Sequence, residues 1–210
     1  MQTDMLTPQT LAEGVAHLCA MDSSFAQIHT RLGAPPMWER EPGFPTLVHI
    51  ILEQQVSLAS ARAAFVKLAQ ASGTITPQTF LQFDDAALKQ IGFSHQKAGY
   101  CRGLAQSILR GELDLDALSE MSPAEARAAL LRIKGIGPWT ADIYLLMALL
   151  HPDVWPVGDL ALAVAYQKLK QLPARPSTAE LEGIAASWQP WRAVAARLLW
   201  HFYLNPSSML

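Results

Sequence analysis

The sequence predicts an all-α protein, and three observations support this prediction. Ser, Asp and Pro stand at the starts of apolar segments with helical spacing, and glycines interrupt the chain between them. The alternation of apolar and polar residues that is typical of strands is absent, and β-branched clusters are rare. The chain has 210 residues, enough to bury a good core as one domain or as two closely packed helical lobes.

The helices are predicted in order from their caps and breakers. Asp22 or Ser23 is predicted to cap the second helix, and Gly33 to end it. Ser122 and Glu125, with Pro123 between them, have the pattern of a capping box at the start of another helix. The predicted helical ranges are 10–20, 23–32, 45–57, 58–71, 77–83, 84–91, 94–110, 114–119, 123–133, 138–150, 159–169, one that opens at 177–180, and 190–204. Residues 37–43 are predicted to form a loop.

The charge balance does not favour nucleic acid as a partner. The formal net charge is −2 and half of the residues are hydrophobic, so composition alone favours a small-molecule enzyme or an interaction domain. Any nucleic-acid site must therefore combine backbone amides with a local basic patch. The candidates for that patch are Lys97, Arg102, Lys134 and Arg192.

The remaining composition points to an intracellular protein without a membrane span. No apolar run reaches the roughly 18 residues that cross a bilayer, and the first residues lack the basic start of a signal peptide. The two cysteines, Cys19 and Cys101, suggest a reducing compartment and are too few for a four-cysteine iron–sulfur cluster. The six histidines show no metal-ligand spacing, so no zinc site is expected.

The most informative stretch is KGIGPWTAD, at residues 134–142. A predicted helix runs into a Gly-x-Gly turn, and a second helix starts at Pro138, where the missing N–H of proline is harmless. The glycines permit a tight turn and a close approach of another molecule. Amides at the start of the second helix then point toward a position where a phosphate could bind. Residues of about 123–150 are therefore expected to form a helix–hairpin–helix motif.

This stretch, followed by PVGD at residues 156–159, resembles the helix–hairpin–helix base-excision DNA glycosylases. The similarity covers residues of about 42–204 and is greatest to the DNA-3-methyladenine glycosylase II branch, which acts on alkylated purines. It implies a two-lobed helical bundle over residues 1–210, a monomer that is cytoplasmic as in bacteria or otherwise intracellular, and double-stranded DNA with a damaged base as substrate. Larger members carry an extra α/β domain before this unit. The roughly 40 residues that precede the unit here are expected to be helical and are too few to form that domain.

Asp159 is the candidate catalytic residue. Taken by itself, an Asp between Gly158 and an apolar segment is most simply a helix N-cap. The resemblance places the catalytic Asp of the family at this position. Breaking an N-glycosidic bond develops positive charge on the sugar, which a fixed carboxylate can stabilise while it orients the attacking water.

Two tryptophans are expected to line the base pocket. Trp139 occupies the hairpin position where bifunctional relatives carry a Schiff-base lysine, so base removal without lyase activity is expected. Trp200 lies 12 residues after Trp188, the spacing of a second pocket Trp in this branch, whereas Trp188 and Trp191 are expected in the core. The family often has a Tyr where Ile143 stands, and Tyr144 would point about 100° away from it. The alternative for each Trp is a simple core position.

The resemblance also assigns contacts to DNA. Gln55 is expected to fill the gap that a flipped base leaves, with a polar helix end as the alternative, and Gln54 is expected to be structural. No cofactor is required, but the hairpin is expected to bind Na⁺ or K⁺. The backbone carbonyls for this cation are those of Leu131, Ile133 and Ile136, and the residues expected at the DNA backbone are Lys134, Gly135, Gly137 and Thr140.

Two alternatives remain open at this stage. One is a glycosylase of the same fold that removes uracil, thymine or hypoxanthine, and it would differ only in its pocket. The other is a non-catalytic module that uses the hairpin as a phosphate clamp and has no need of Asp159, Gln55 and Trp200 together.

Overall fold

The computed structural model describes residues 5–205, and this part of the chain contains helices and no strands. The all-α prediction is therefore confirmed, whereas the signal-peptide prediction rests partly on residues 1–4, outside the described range. The α-helices are α1 (Pro8–Met21), α2 (Ser23–Leu32), α3 (Phe44–Glu53), α4 (Leu58–Ser72), α5 (Pro77–Phe80), α6 (Asp85–Ile91), α7 (His95–Leu109), α8 (Pro123–Leu131), α9 (Pro138–Met147), α10 (Leu160–Leu169), α11 (Thr178–Ala185) and α12 (Arg192–Leu204). Short 3₁₀ turns span Ala117–Ser119 and Ala186–Trp188.

The chain forms two compact units. The first combines the residues up to Glu39 with those from Leu149 onward, and the second is Arg40–Ala148. The first unit therefore contains α1, α2, α10, α11 and α12, and the second contains α3 to α9.

The first unit is built around α12, which is buried along most of its length and packs against α1, α2 and α10. Gly14 lets α1 approach closely, since a Cβ there would lie 2.8 Å from the Trp191 ring and 2.9 Å from Val194. Arg197 is fully buried, and its guanidinium donates to the carbonyls of Met37 at 2.9 Å and Ala193 at 3.2 Å. Burial lowers the pKa of Arg197 to about 10. Burial of a cation costs free energy unless it is hydrogen-bonded. The hydrogen bonds of Arg197 meet this requirement and also fix the segment after α2.

The second unit is built around α3, an apolar helix that packs against α4, α7 and α9. Its one buried carboxylate, Glu53, accepts two hydrogen bonds from Arg40, at 2.8 and 3.1 Å. The hairpin helices α8 and α9 are joined in a similar way. Arg127 donates to the buried carboxylate of Asp142 at 2.6 Å, so the final Asp of KGIGPWTAD stabilises the motif.

Several helices end earlier than predicted. The helix predicted to reach residue 57 stops at Glu53, because Gln54 leaves the helical conformation with ψ 121° and Gln55 is left-handed with φ +56°. The two hairpin helices stop at Leu131 and Met147 instead of residues 133 and 150. Apolar periodicity continues past these ends, whereas the chain turns to make contacts that are distant in sequence.

Candidate functional site

Asp159 combines two roles at one oxygen atom. It is the N-cap of α10, and its Oδ1 accepts a hydrogen bond from the Leu162 N–H at 2.9 Å. The same Oδ1 accepts a second hydrogen bond from the indole Nε1–H of Trp200 at 3.3 Å. The N-cap that the sequence suggested is therefore present, and it holds the carboxylate against the aromatic ring that was predicted to lie in the base pocket.

Asp159 also lines a cleft of about 230 Å³ within the first unit. Other residues of its wall include Trp155, Gly158, Leu160, Arg175 and Thr178. The Asp159 side chain is half-buried and Leu160 is exposed. The carboxylate is thus both fixed by hydrogen bonds and reachable from outside.

Trp38 is a neighbour of this site that the sequence analysis missed. Its ring meets that of Trp200 edge-on, with centroids 6.3 Å apart and planes at 77°. Its backbone is left-handed, with φ +47°, an unfavourable conformation for a bulky residue. The preceding carbonyl, that of Met37, is the one held by Arg197. Arg197 and Trp38 together therefore fix the position of the Trp200 ring.

The other two tryptophans of this segment lie in the core, as predicted. Trp188 is buried and meets the rings of Phe25 and Trp155 edge-on, at 5.3 and 5.4 Å between centroids. Trp191 is buried against Gly14.

In the second unit, the two hairpin glycines have different reasons to be glycine. Gly135 has φ +97°, and a Cβ there would collide with the ring of Tyr100. Gly137 has φ −90° and starts α9 without a side-chain cap, and a Cβ there would meet nothing within 4 Å. Gly135 is thus required by the internal packing of the hairpin, whereas the surface at Gly137 is open. Lys134 is exposed beside them.

The remaining predicted residues of α9 are mostly buried. Thr140 is 2% exposed, and its hydroxyl accepts a hydrogen bond from the Gln54 amide, so its contact with DNA stays a prediction. Ile143 and Tyr144 are buried, and the Tyr144 hydroxyl accepts from the Gly43 N–H at 2.9 Å. Burial raises the pKa of this phenol. Trp139 is half-buried, and its pocket role stays a prediction, as do those of Ile143 and Tyr144.

The two adjacent glutamines have different environments. The Gln54 side-chain amide nitrogen donates to the Gly135 carbonyl at 3.0 Å and to the Thr140 hydroxyl at 2.9 Å, which confirms its predicted structural role. Gln55 is exposed on the left-handed turn directly after α3. Its role as the residue that replaces a flipped base stays a prediction.

Three of the four residues of the predicted basic patch already have partners within the chain, and their contact with DNA stays a prediction. Lys97 donates to the carbonyls of Leu52 and Gln54, Arg102 pairs with Asp85, and Arg192 pairs with Asp153. These partners could not be identified from single residues in the sequence. Lys134 alone keeps the exposure that the prediction required.

The carbonyls proposed for a monovalent cation lie at the last residue of α8 and in the turn after it. The Ile133 carbonyl accepts the Ile136 N–H at 3.0 Å, and its second lone pair is compatible with a cation. Backbone carbonyls are a ligand type that binds K⁺ in proteins. The cation site of Leu131, Ile133 and Ile136 stays a prediction. Within residues 5–205, no group of three or more His, Cys, Asp and Glu side chains is placed to hold a metal ion.

Over the same range of residues, no helix has the length and apolar character needed to cross a membrane.

Comparison with known proteins identifies the family. The model of the HhH-GPD superfamily base excision DNA repair protein matches residues 48–191. The chain belongs to this superfamily. It is 27% identical to DNA-3-methyladenine glycosylase 1 of Schizosaccharomyces pombe, over 94% of this chain and 89% of the relative. A solved structure of the S. pombe 3-methyladenine DNA glycosylase Mag1, in complex with abasic DNA, superposes with a TM-score of 0.84 at 26% identity, covering 90% of this chain and 95% of that chain.

A bacterial relative is longer. The putative DNA-3-methyladenine glycosylase YfjP of Bacillus subtilis is 28% identical over 73% of this chain. The match covers 56% of YfjP, so this HhH-GPD chain spans about half of that relative's length.

The two hairpin glycines should respond differently to alanine. We expect Gly135→Ala to lower the free energy of unfolding by more than about 1 kcal/mol, because a Cβ strains the left-handed backbone and collides with Tyr100. Gly137→Ala, with open space around it, is the matched control and should lose less stability than Gly135→Ala, since it forfeits only the N-cap preference for glycine. Urea unfolding measures both variants, and equal stabilities would contradict this packing argument.

Proposed function

We propose that this chain is a monofunctional DNA glycosylase that hydrolyses the N-glycosidic bond of alkylated purines in double-stranded DNA. Its substrates would include 3-methyladenine and 7-methylguanine, and its place would be the first step of base excision repair, inside the cell and as a monomer. The observation that carries the proposal is the Asp159 carboxylate, held at one oxygen by Leu162 and Trp200. The names of the relatives support the choice of substrate.

A fixed anion can promote the hydrolysis of an N-glycosidic bond. As the base leaves, positive charge develops on the sugar, and water adds to the carbon that the base has left. The Asp159 carboxylate would stabilise this charge, orient the water and accept the proton that the water loses as it adds, while the bonding electrons leave with the base. Because two donors already hold Oδ1, the group would not have to reorganise during the reaction.

Alkylated purines suit a site of this kind. Alkylation at N3 or N7 makes the purine a cation, so its departure requires little protonation by a general acid. The electron-rich face of Trp200, which lies beside Asp159, would favour such a ring by roughly 0.5–2 kcal/mol through cation–π attraction. Neutral lesions lack this contribution.

DNA would be held by the hairpin. Gly137 presents an open surface at the start of α9, and Lys134 is exposed next to it. Binding would therefore depend on backbone amides and few cations, in keeping with a net charge of −2. We propose that Gln55 occupies the space of the extruded base and that Na⁺ or K⁺ on the hairpin carbonyls assists the phosphate contact. No further cofactor is proposed.

A panel of lesion duplexes tests the proposal. With purified protein in excess, we expect release of 3-methyladenine and 7-methylguanine well above that of uracil, hypoxanthine or 8-oxoguanine, because only the charged purines gain the cation–π contribution. Base release is followed by chromatography of the free bases. Faster release of uracil or hypoxanthine would contradict the alkylpurine assignment. DNA binding without any release would favour the non-catalytic module.

The absence of lyase activity can be tested separately. Since Trp139 stands where bifunctional relatives carry lysine, we expect no borohydride-trapped complex with abasic DNA and no strand cleavage. Electrophoresis of the borohydride reaction provides the measurement. A covalent complex in the parent protein would contradict the prediction, and its loss in Lys134→Gln would identify Lys134 as the reacting amine.

A further inference from the structure

We propose that Gln54 is a positioning residue that joins the Gln55 turn to the hairpin, so that both respond to DNA as one rigid element. Lys97 and Tyr100 of α7 support this connection. The inference rests on the proposed function for the roles of Gln55 and the hairpin. It adds a residue, and a coupling between two loops, that the proposed function does not require.

The connection itself is a pair of hydrogen bonds from one amide group. The Gln54 Nε2 donates to the Gly135 carbonyl at 3.0 Å and to the Thr140 Oγ1 at 2.9 Å. An amide NH₂ has two protons, and each has an acceptor here. Gly135 belongs to the hairpin turn and Thr140 to the first turn of α9. A single side chain therefore ties the end of α3 to both sides of the hairpin.

Lys97 fixes the backbone from which that side chain extends. Its ammonium donates to the carbonyls of Leu52 and Gln54, both at 2.7 Å. Carbonyls at a helix C-terminus lack intrahelical partners, and a cation is a favourable substitute. Burial lowers the pKa of Lys97. The ammonium thus serves the end of α3 and stabilises the point at which the chain leaves the helix.

Tyr100 supports the hairpin from the same helix. It lies three positions after Lys97, on the same side of α7. Its ring packs against Gly135, so closely that a Cβ at that glycine would overlap it. One face of α7 therefore contacts both loops, through Lys97 at the end of α3 and through Tyr100 at the hairpin.

These contacts position Gln55, which is exposed. Its φ of +56° is unfavourable for a residue other than glycine, and such conformations persist when the surroundings determine them. Its neighbour Gln54 is held by its carbonyl and by its side chain. Displacement of the hairpin by a phosphate would therefore be transmitted to the Gln55 turn, and rigid coupling would favour insertion of Gln55 into the duplex.

The test begins with the free protein. Gln54→Glu keeps the side-chain shape but removes the donors, and its carboxylate would face the Gly135 carbonyl. We expect faster amide hydrogen exchange at both residues 54–57 and residues 134–137. Gln70→Glu, an exposed position on α4, is the matched control and should change neither segment. Unchanged exchange at the hairpin in Gln54→Glu would overturn the proposed connection, whatever the enzyme activity proves to be.

A double-mutant cycle then tests the coupling on DNA. Fluorescence of 2-aminopurine beside the lesion reports base flipping, and binding to an undamaged duplex reports hairpin contact. We expect Gln54→Glu to lower the flipping equilibrium by about tenfold, with much less effect on undamaged DNA, since a lost buried hydrogen bond has this order of effect. In the Gln55→Ala background the same substitution should have little further effect. Additive effects would overturn the coupling.

Lys97→Met is the second variant. It leaves the Gln54 amide intact but removes the ammonium from the end of α3, and we expect it to reduce flipping in the same direction. If each of the two single variants, Lys97→Met and Gln54→Glu, flips the base as well as the wild type does, the positioning role is overturned. Failure of the proposed function is distinguishable, because it would appear as absent base release by the parent protein while the hydrogen-exchange result still tests the connection.

Discussion

The structure of the candidate site depends on one oxygen atom, Oδ1 of Asp159. It accepts hydrogen bonds from the Leu162 N–H in the first turn of α10 and from the indole N–H of Trp200 in α12. The sequence left open whether this residue caps a helix or performs chemistry, and the geometry makes these roles compatible. Capping gives the carboxylate a fixed direction, and the indole places an aromatic ring beside it. A carboxylate that is prepositioned in this way is the main requirement for stabilising a cationic sugar.

Both units use a cation on backbone carbonyls to shape a loop, and this cation is fully buried in the first unit and half-buried in the second. In the first unit, Arg197 holds the Met37 carbonyl, and Trp38 follows with φ +47°. In the second, Lys97 holds the carbonyls of Leu52 and Gln54, and Gln55 follows with φ +56°. Removing a cation from water is unfavourable unless it is hydrogen-bonded, so the carbonyl contacts of Arg197 and Lys97 fix the backbone that leads into each loop. Each of these strained residues lies beside, or forms, a predicted functional position.

The sequence was sufficient for the features whose signal is local. The Gly-x-Gly turn, Pro138 as the first residue of α9 and the capping pattern of Ser122 with Glu125 are all present in the structure. Features that depend on distant partners were missed. The early end of α3, the pairing of Lys97, Arg102 and Arg192, and the contact of Trp38 with Trp200 each require the fold. The sequence shows which residues are charged and which are apolar, whereas tertiary packing decides which partner each of them contacts.

The central claim is that the Asp159 carboxylate performs the chemistry as well as capping α10, and single-turnover kinetics of Asp159→Asn test it most directly. Asn is as good an N-cap as Asp, so thermal stability and DNA affinity should remain close to those of the parent. The rate of 7-methylguanine release should fall by at least about 100-fold, the scale of losing one electrostatic contribution to a transition state. A folded Asp159→Asn protein that releases the base at nearly the parental rate would contradict the account.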